Sequence, residues 1–411
     1  MLSRHRPFCG PRIPALAALC ATAALIALGC HARDAAPAAV PTTLVPTKAD
    51  LPVERTAEFQ TLLRPGSALL TEEQVRDYLG DAVCARCHRA IAAAAAHTRH
   101  AQTLRPVRIA ELGRFFEHAV PVKDRALDYT YRPTVQAGRC VILGENRSGT
   151  HSLAADYVMG AGRNALTYLS AERPDAWVDM RLSYYTRIRK WDFTPAQRPG
   201  DRLFERAAGI VQAGEMLPAC LSCHVTYLRA GEAGPNVAKS HIGIGCERCH
   251  GPGRAHLESL KNGRGAIGRP VALQMEAYGR AQPARINVLC GQCHHDESNS
   301  KSGDPKTESG IARFEGVALV RSRCYQAGGT LSCITCHDPH KDAPSTPAVY
   351  EAQCLKCHSV PSHDSPPRAG SPRICPVNPK SGCVGCHMPA QSIPTIPHAT
   401  YHNHWIKVWK P

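Results

Sequence analysis

Cys246-Glu247-Arg248-Cys249-His250 is the stretch on which the reading of this sequence turns, because it is repeated. Two cysteines separated by two residues and followed at once by histidine also occur at Cys84-Cys87-His88, Cys220-Cys223-His224, Cys290-Cys293-His294, Cys333-Cys336-His337, Cys354-Cys357-His358 and Cys383-Cys386-His387. Fourteen of the 20 cysteines lie in these seven pairs, and no Cys-x-x-Cys in the chain lacks its histidine, although His is only 21 of 411 residues. Two thiols at this spacing add to the two vinyl groups of one porphyrin, and the adjacent imidazole then lies beneath the iron, so the pattern is that of covalent c-type haem attachment. Zinc would use two such pairs as four thiolate ligands, but seven pairs is an odd number and zinc needs no following histidine. A disulfide redox centre needs one pair. The cofactor reading is therefore seven covalently attached haems c with their iron.

Working outward, 411 residues are enough for two or three domains. Aromatic residues make up only 6%, which leaves a chain of this length short of large side chains for a core and room for porphyrin in it. The formal charge of +15 suggests nucleic acid at first sight. Removing Arg4, Arg6 and Arg12 with an exported leader leaves 46 basic residues against 34 acidic, or +12. Seven haems then bring about fourteen propionates, partly offset by the ferric cores. The surplus Lys and Arg read as propionate partners, and no nucleic-acid partner is expected.

Residues 1–29 carry three Arg, no acid and the apolar run 13–28, a secretory signal pattern. That run of sixteen is short for a bilayer span. Cys30 after Gly29 resembles a lipoprotein cleavage site, with ordinary cleavage near Ala32 as the rival, so membrane anchoring through a lipidated Cys30 is one expectation. Residues 31–68, rich in Ala, Pro and Thr, read as a tether. The expected location is periplasmic or associated with the outer membrane.

The fold class expected is a multihaem cytochrome c, α+β overall, with short helices and coil around stacked haems and a small inserted antiparallel β region. Thr71 with Gln74 forms a capping-box pattern and Gly80 a stop, which predicts a helix over residues 71–79. Alanine enrichment predicts another over residues 89–100, with His97 and His100 on one face. Strands are expected at 127–133, 139–143, 151–159, 165–169 and 177–187, where Tyr, Val, Thr and Leu alternate with Gly, Asn and Pro turns. The divisions are 69–125 for the first haem segment, 126–200 for the β-rich insert and 201–411 for six haems. Those six occur between Cys220 and His387, about 28 residues each.

The second axial ligand separates the functions. A second histidine closes the iron and makes a carrier, whereas an open position admits a substrate. The foremost candidates for that ligand are His100, His256, His340 and the terminal His398, His402 and His404, followed by His241 and His295. His118, His151 and His363 are weaker, and Met159, Met180, Met216, Met275 and Met388 stand in no favouring context. Among the other cysteines, Cys324 and Cys375 are expected as a disulfide and Cys140 is left over.

The likeness is carried by Arg99-His100-Ala101 after the first motif; Tyr157-Val158-Met159-Gly160-Ala161-Gly162-Arg163; Gly251-Pro252-Gly253 after the third; His337-Asp338-Pro339-His340; and Cys383 through Met388-Pro389. In these stretches the sequence resembles the multihaem cytochromes c related to the tetrahaem cytochrome of nitrifying bacteria. The resemblance implies electron transfer in the periplasm, with His256 and His340 as distal ligands. It covers most of residues 80–411, but the count of seven matches neither the tetrahaem carrier nor the octahaem enzymes at wider range. The leading expectation is an electron carrier working along bis-His haems between redox protein partners or a quinol-linked membrane donor. The alternative is a multihaem oxidoreductase with one open haem, sought first at Cys84-Cys87, acting on a small nitrogen or sulfur compound.

Overall fold

The computed structural model describes residues 69–197, 208–261, 283–295, 310–328, 330–359, 374–393 and 396–409. The leader, Cys30, the tether, Met275 and His363 lie outside the described residues. No described helix is long and apolar enough to cross a membrane.

The architecture is α+β. The expected strands form as Tyr129–Gln136, Arg139–Asn146, Gly149–Ala154, Tyr157–Met159, Ala165–Arg173 and Ala176–Tyr185. They divide between two sheets. One is an antiparallel meander in which Val122–Asp124 leads into the first three of these strands. The other centres on Ala176–Tyr185, flanked by Ala165–Arg173 on one edge and by Lys190–Phe193 and Gly209–Ala213 on the other. It also recruits Leu104–Pro106 through Tyr157–Met159, so the β region draws on chain from both sides of residues 126–200.

Alternation along Ala176–Tyr185 sends Val178, Met180 and Leu182 into a core with Phe116, Tyr131, Tyr168 and Trp191. The next residues on the other face do different work: Trp177 packs with Leu217, Leu221 and Val225, which surround the second motif. Period-two geometry thus makes one strand both the spine of the β core and the wall beside a cysteine-bearing helix. Cys140 is buried in the β core, and desolvation raises its pKa, as expected of an inert packing thiol.

Elsewhere helices are short and attached to the motifs: Asp81–Cys84, Met216–Leu221, Cys246–His250, Cys333–Cys336 and Cys383–His387, with longer ones at Pro283–His294 and Pro347–His358. The capping box of Thr71 and Gln74 forms, but the helix stops at Val75. Gly80 then takes φ 82°, a left-handed conformation that glycine adopts without strain, and redirects the chain into Asp81–Cys84. The alanine-rich helix is likewise shorter than expected, Arg89–Ala95, so His97 and His100 leave its face and reach different places. Two hairpins within 201–411, Val225–Gly231 with Gly234–Ile242 and Ala390–Ile393 with Ile396–His402, were not expected from the sequence.

Candidate haem-binding centre

The third, fifth and seventh motifs open the helices Cys246–His250, Cys333–Cys336 and Cys383–His387, whereas Cys84, Cys220, Cys290 and Cys354 lie toward the C-terminal ends of theirs. The motifs are then tied together in twos. The backbone N–H of Cys246 donates to Asp81 Oδ1 at 2.8 Å, that of Cys333 to Asn287 Oδ1 at 3.0 Å, and that of Val384 to Glu351 Oε1 at 3.2 Å. Asp81, Asn287 and Glu351 each stand three residues before the first cysteine of a motif. One polar side chain preceding a motif therefore caps the helix of another. The same three pairs bring first cysteines into contact: Cys84 with Cys246, Cys290 with Cys333, and Cys354 with Cys383. Cys223 meets Cys293, which attaches the second motif to the fourth.

Polar partners hold this framework. Glu247, inside the third motif and buried, accepts backbone N–H groups of Leu79, Gly80 and Gly253, each at 2.8 Å, and so fastens the approach to the first motif onto the third. Burial pushes the carboxyl of Asp81 up, but bonds from His241 and from the Cys246 N–H outweigh it and hold the pKa at about 2. None of Glu247, Asp81, Asn287 or Glu351 stood out in the sequence. The signal present was a side chain able to accept a hydrogen bond three residues ahead of Cys84, Cys290 and Cys354.

Three motif histidines meet a second histidine. Ring centres are 6.2 Å apart for His294 and His100, 6.0 Å for His250 and His340, and 6.3 Å for His337 and His404. A metal between two imidazoles sets their centres about 6 Å apart, from two metal–nitrogen bonds of about 2.0–2.1 Å and roughly 1 Å of each ring. The donors present fit a haem iron in between. The first pair has crossed rings, at 80°, while the other two are tilted by 37° and 38°.

Nδ1 contacts agree with this use of Nε2. Nδ1 of His224 bonds the carbonyl of Thr103 at 3.1 Å, that of His387 the carbonyl of Lys407 at 2.9 Å, and that of His404 the carbonyl of His402 at 2.9 Å. Each bond fixes the tautomer and leaves Nε2 free for metal. His340 Nδ1 has Asp338 Oδ1 at 3.2 Å, and His294 Nδ1 has Glu315 Oε2 at 3.6 Å. Desolvation tends to raise the Glu315 pKa, but the contact with His294 and the charges of His294 and His404 lower it overall.

Other candidates are placed differently. His256, on helix Arg254–Lys261, has a buried Nδ1 with no hydrogen-bond partner and meets no motif histidine ring among the described residues. His398 and His241 commit Nε2 to Asp192 at 2.7 Å and Asp81 at 3.3 Å. His402 bonds the carbonyl of Met388 through Nδ1, and His295 packs on Phe314. His151 lies in the β region against Tyr129, and His118 closes the helix Ile109–Glu117. Met180 belongs to the β core. His97 lines a polar cavity of about 390 Å³ with Arg99 and Arg163. His88, His224 and His387 face no second histidine ring among the described residues. Cys324 and Cys375 are not joined: Cys324 lies near Cys357 and Cys336, Cys375 near Cys383. Among the described residues no three His, Cys, Asp or Glu side chains gather as a metal cluster.

The family described as cytochrome c554 and c-prime matches residues 196–251, which hold the second and third motifs and Glu247. No curated protein matches. A crystal structure of the outer cell wall cytochrome OcwA is similar over 80% of each chain at 16% identity, with a TM-score of 0.44. The family match, read with the repeated motif, supports a c-type multihaem electron-transfer cytochrome with covalently held haem and iron.

Proposed function

We propose that the protein is an exported heptahaem electron carrier, relaying single electrons between redox partners outside the cytoplasm. The observation that carries this reading is the set of three histidine pairs about 6 Å apart, each containing one motif histidine. Haem c, when bound, supplies the one-electron ferric/ferrous couple. The chain's own residues do the rest. The fourteen motif cysteines would anchor the groups, the motif histidines would hold the irons, and His100, His340 and His404 would supply the second histidine to those of His294, His250 and His337. Closed positions of this kind leave no place for a substrate on those three irons.

The contacts between motifs support a continuous route. Attachment cysteines that touch leave no room for protein between the groups they carry. Caps from Asp81, Asn287 and Glu351 hold three such pairs in register, and Cys223 with Cys293 joins the second motif to them. We also propose export by the signal segment 1–29, anchoring through a lipidated Cys30, and a redox protein or quinol-linked donor as partner. Divisions at 69–125, 126–200 and 201–411, and kinship with the tetrahaem cytochrome of nitrifiers, belong to the same proposal.

The test is a haem count on the matured protein with electron paramagnetic resonance of its oxidised form. Seven haems, all low-spin, are expected. A high-spin ferric signal that shifts on adding nitrite or hydroxylamine would replace the carrier with the oxidoreductase having one open haem.

A further inference from the structure

The fourth motif occupies the junction of the route. Cys290 touches Cys333 of the fifth motif, Cys293 touches Cys223 of the second, and both lie near Cys249 of the third. Its histidine differs from others of its kind in what stands behind it. Nδ1 of His224 and of His387 is bonded to a neutral backbone carbonyl. Nδ1 of His294 faces a carboxylate, Glu315 Oε2 at 3.6 Å. Glu315 opens the helix Glu315–Val320, whose Val317 and Ala318 are buried beside Phe314 and Trp405, so its backbone is held by packing. The same carboxylate acts electrostatically on His404, the ring opposite His337.

We infer that Glu315 is a positioning residue that lowers the reduction potential of the haem held by Cys290, Cys293 and His294. The inference rests on the carrier reading above. A carboxylate on the outer nitrogen makes the imidazole a stronger donor, and its negative charge favours the ferric over the ferrous state. A carbonyl dipole does this less. A low-potential site at the junction biases electrons away from it toward the arms, so Glu315 sets how readily the second motif exchanges electrons with the third and fifth. Asp338, beside His340, supplies a similar contact in a more open setting, with its side chain 47% exposed against 26% for Glu315, and solvent weakens it there.

Crossed imidazole planes leave the iron d orbitals nearly degenerate and give a strongly anisotropic low-spin resonance, unlike tilted pairs. The 80° pair His100 and His294 can therefore be followed separately. The experiment is a redox titration of the matured holoprotein, reading that resonance in wild type, Glu315→Gln, Glu315→Asp and Asp338→Asn. In Glu315→Gln the midpoint is expected to rise by at least a tenfold change in the ferric-to-ferrous ratio at fixed potential, ~59 mV for one electron. Glu315→Asp keeps the charge and is expected to rise less, and Asp338→Asn is expected to leave this resonance in place. An unchanged or lowered midpoint in Glu315→Gln, with seven haems retained, overturns the inference while leaving the carrier reading intact. If Glu315→Gln fails to retain its haems, Glu315→Asp decides, since an unmoved midpoint there overturns it. Absence of an anisotropic signal in wild type overturns the ligand assignment beneath it, and the inference with it.

Discussion

The β region and the motif-bearing region hold together by different means. In the β region Phe116 packs edge-on against Tyr168 and Trp191, Phe115 lies on Tyr184, and Val158, Met180 and Leu182 fill the space between sheets. Scarce as aromatic residues are in this chain, they concentrate here. The segment from Pro283 onward has as its only described apolar cluster Ile311, Val317 and Ala318, with Phe314 and Trp405 against them. Carboxylate and amide caps between motifs do the work there that side-chain packing does in the sheets. Part of the chain is thus built as a packed protein domain, and part as a framework of caps with little apolar filling of its own among the described residues.

The largest effect should come from withholding haem. A chain produced without haem attachment is expected to keep a protease-resistant core spanning roughly the β region and to lose defined structure across the motifs, since local stability follows local apolar packing. Limited proteolysis with mass mapping checks this. Digestion of both regions at one rate would show that the β region also depends on the haems and would remove the distinction.

Next in size are the distal histidines. His100→Ala, His340→Ala and His404→Ala are each expected to convert one haem to a high-spin or exogenous-ligand-binding form, with the melting of the β region unmoved. His398→Ala should leave every spin state unchanged, because its Nε2 is bonded to Asp192. Magnetic resonance of the four variants sharpens the comparison. A spin change in His398→Ala would mean that the loop bearing it rearranges around its haem.

On the protein side, Phe116→Ala should cost about 3–5 kcal/mol through the cavity it leaves between Tyr168 and Trp191. Chemical denaturation followed by Trp191 fluorescence measures it, and the haem absorption spectrum in native buffer should not change. Haem loss in step with Phe116→Ala unfolding would show that the regions stand or fall together.

The two regions also differ in how readily the sequence reveals them. Strands such as Ala176–Tyr185 announce themselves, because alternating apolar residues need no knowledge of their partners. The motif histidines do too, because attachment chemistry fixes them to adjacent cysteines. Distal ligands are harder: His100 meets His294 across nearly two hundred residues, and only the fold brings them together. His340 was legible from its place after His337-Asp338-Pro339, where the short spacing keeps it near the motifs. His256, on helix Arg254–Lys261, had equal standing in the sequence and meets no motif histidine ring among the described residues. The hairpin Val225–Gly231 with Gly234–Ile242 was hidden because polar residues and two register shifts interrupt its alternation.

A last effect, read through pH, lies at the seam between the regions. Asp179 sits on the strand Ala176–Tyr185, on the face opposite Val178 and Met180, and its charge is felt at Cys220 of the second motif. Its Oδ1 is buried with no hydrogen-bond partner, and desolvation raises the carboxyl to about 7, with a bond from Gln197 offsetting only part. An unfolded Asp titrates near 3.9, so between about pH 4 and pH 7 the folded chain binds more protons than the unfolded one at this site. Stability should therefore fall as pH rises through that window and level off above it. Asp179→Asn should remove this contribution, leaving a shallower decline across the same interval. Denaturation midpoints at pH 5 and pH 7.5 for the two proteins check the sign. Equal slopes would mean that the carboxylate is solvated in solution, and that the strand and the helix Met216–Leu221 part there far enough to admit water.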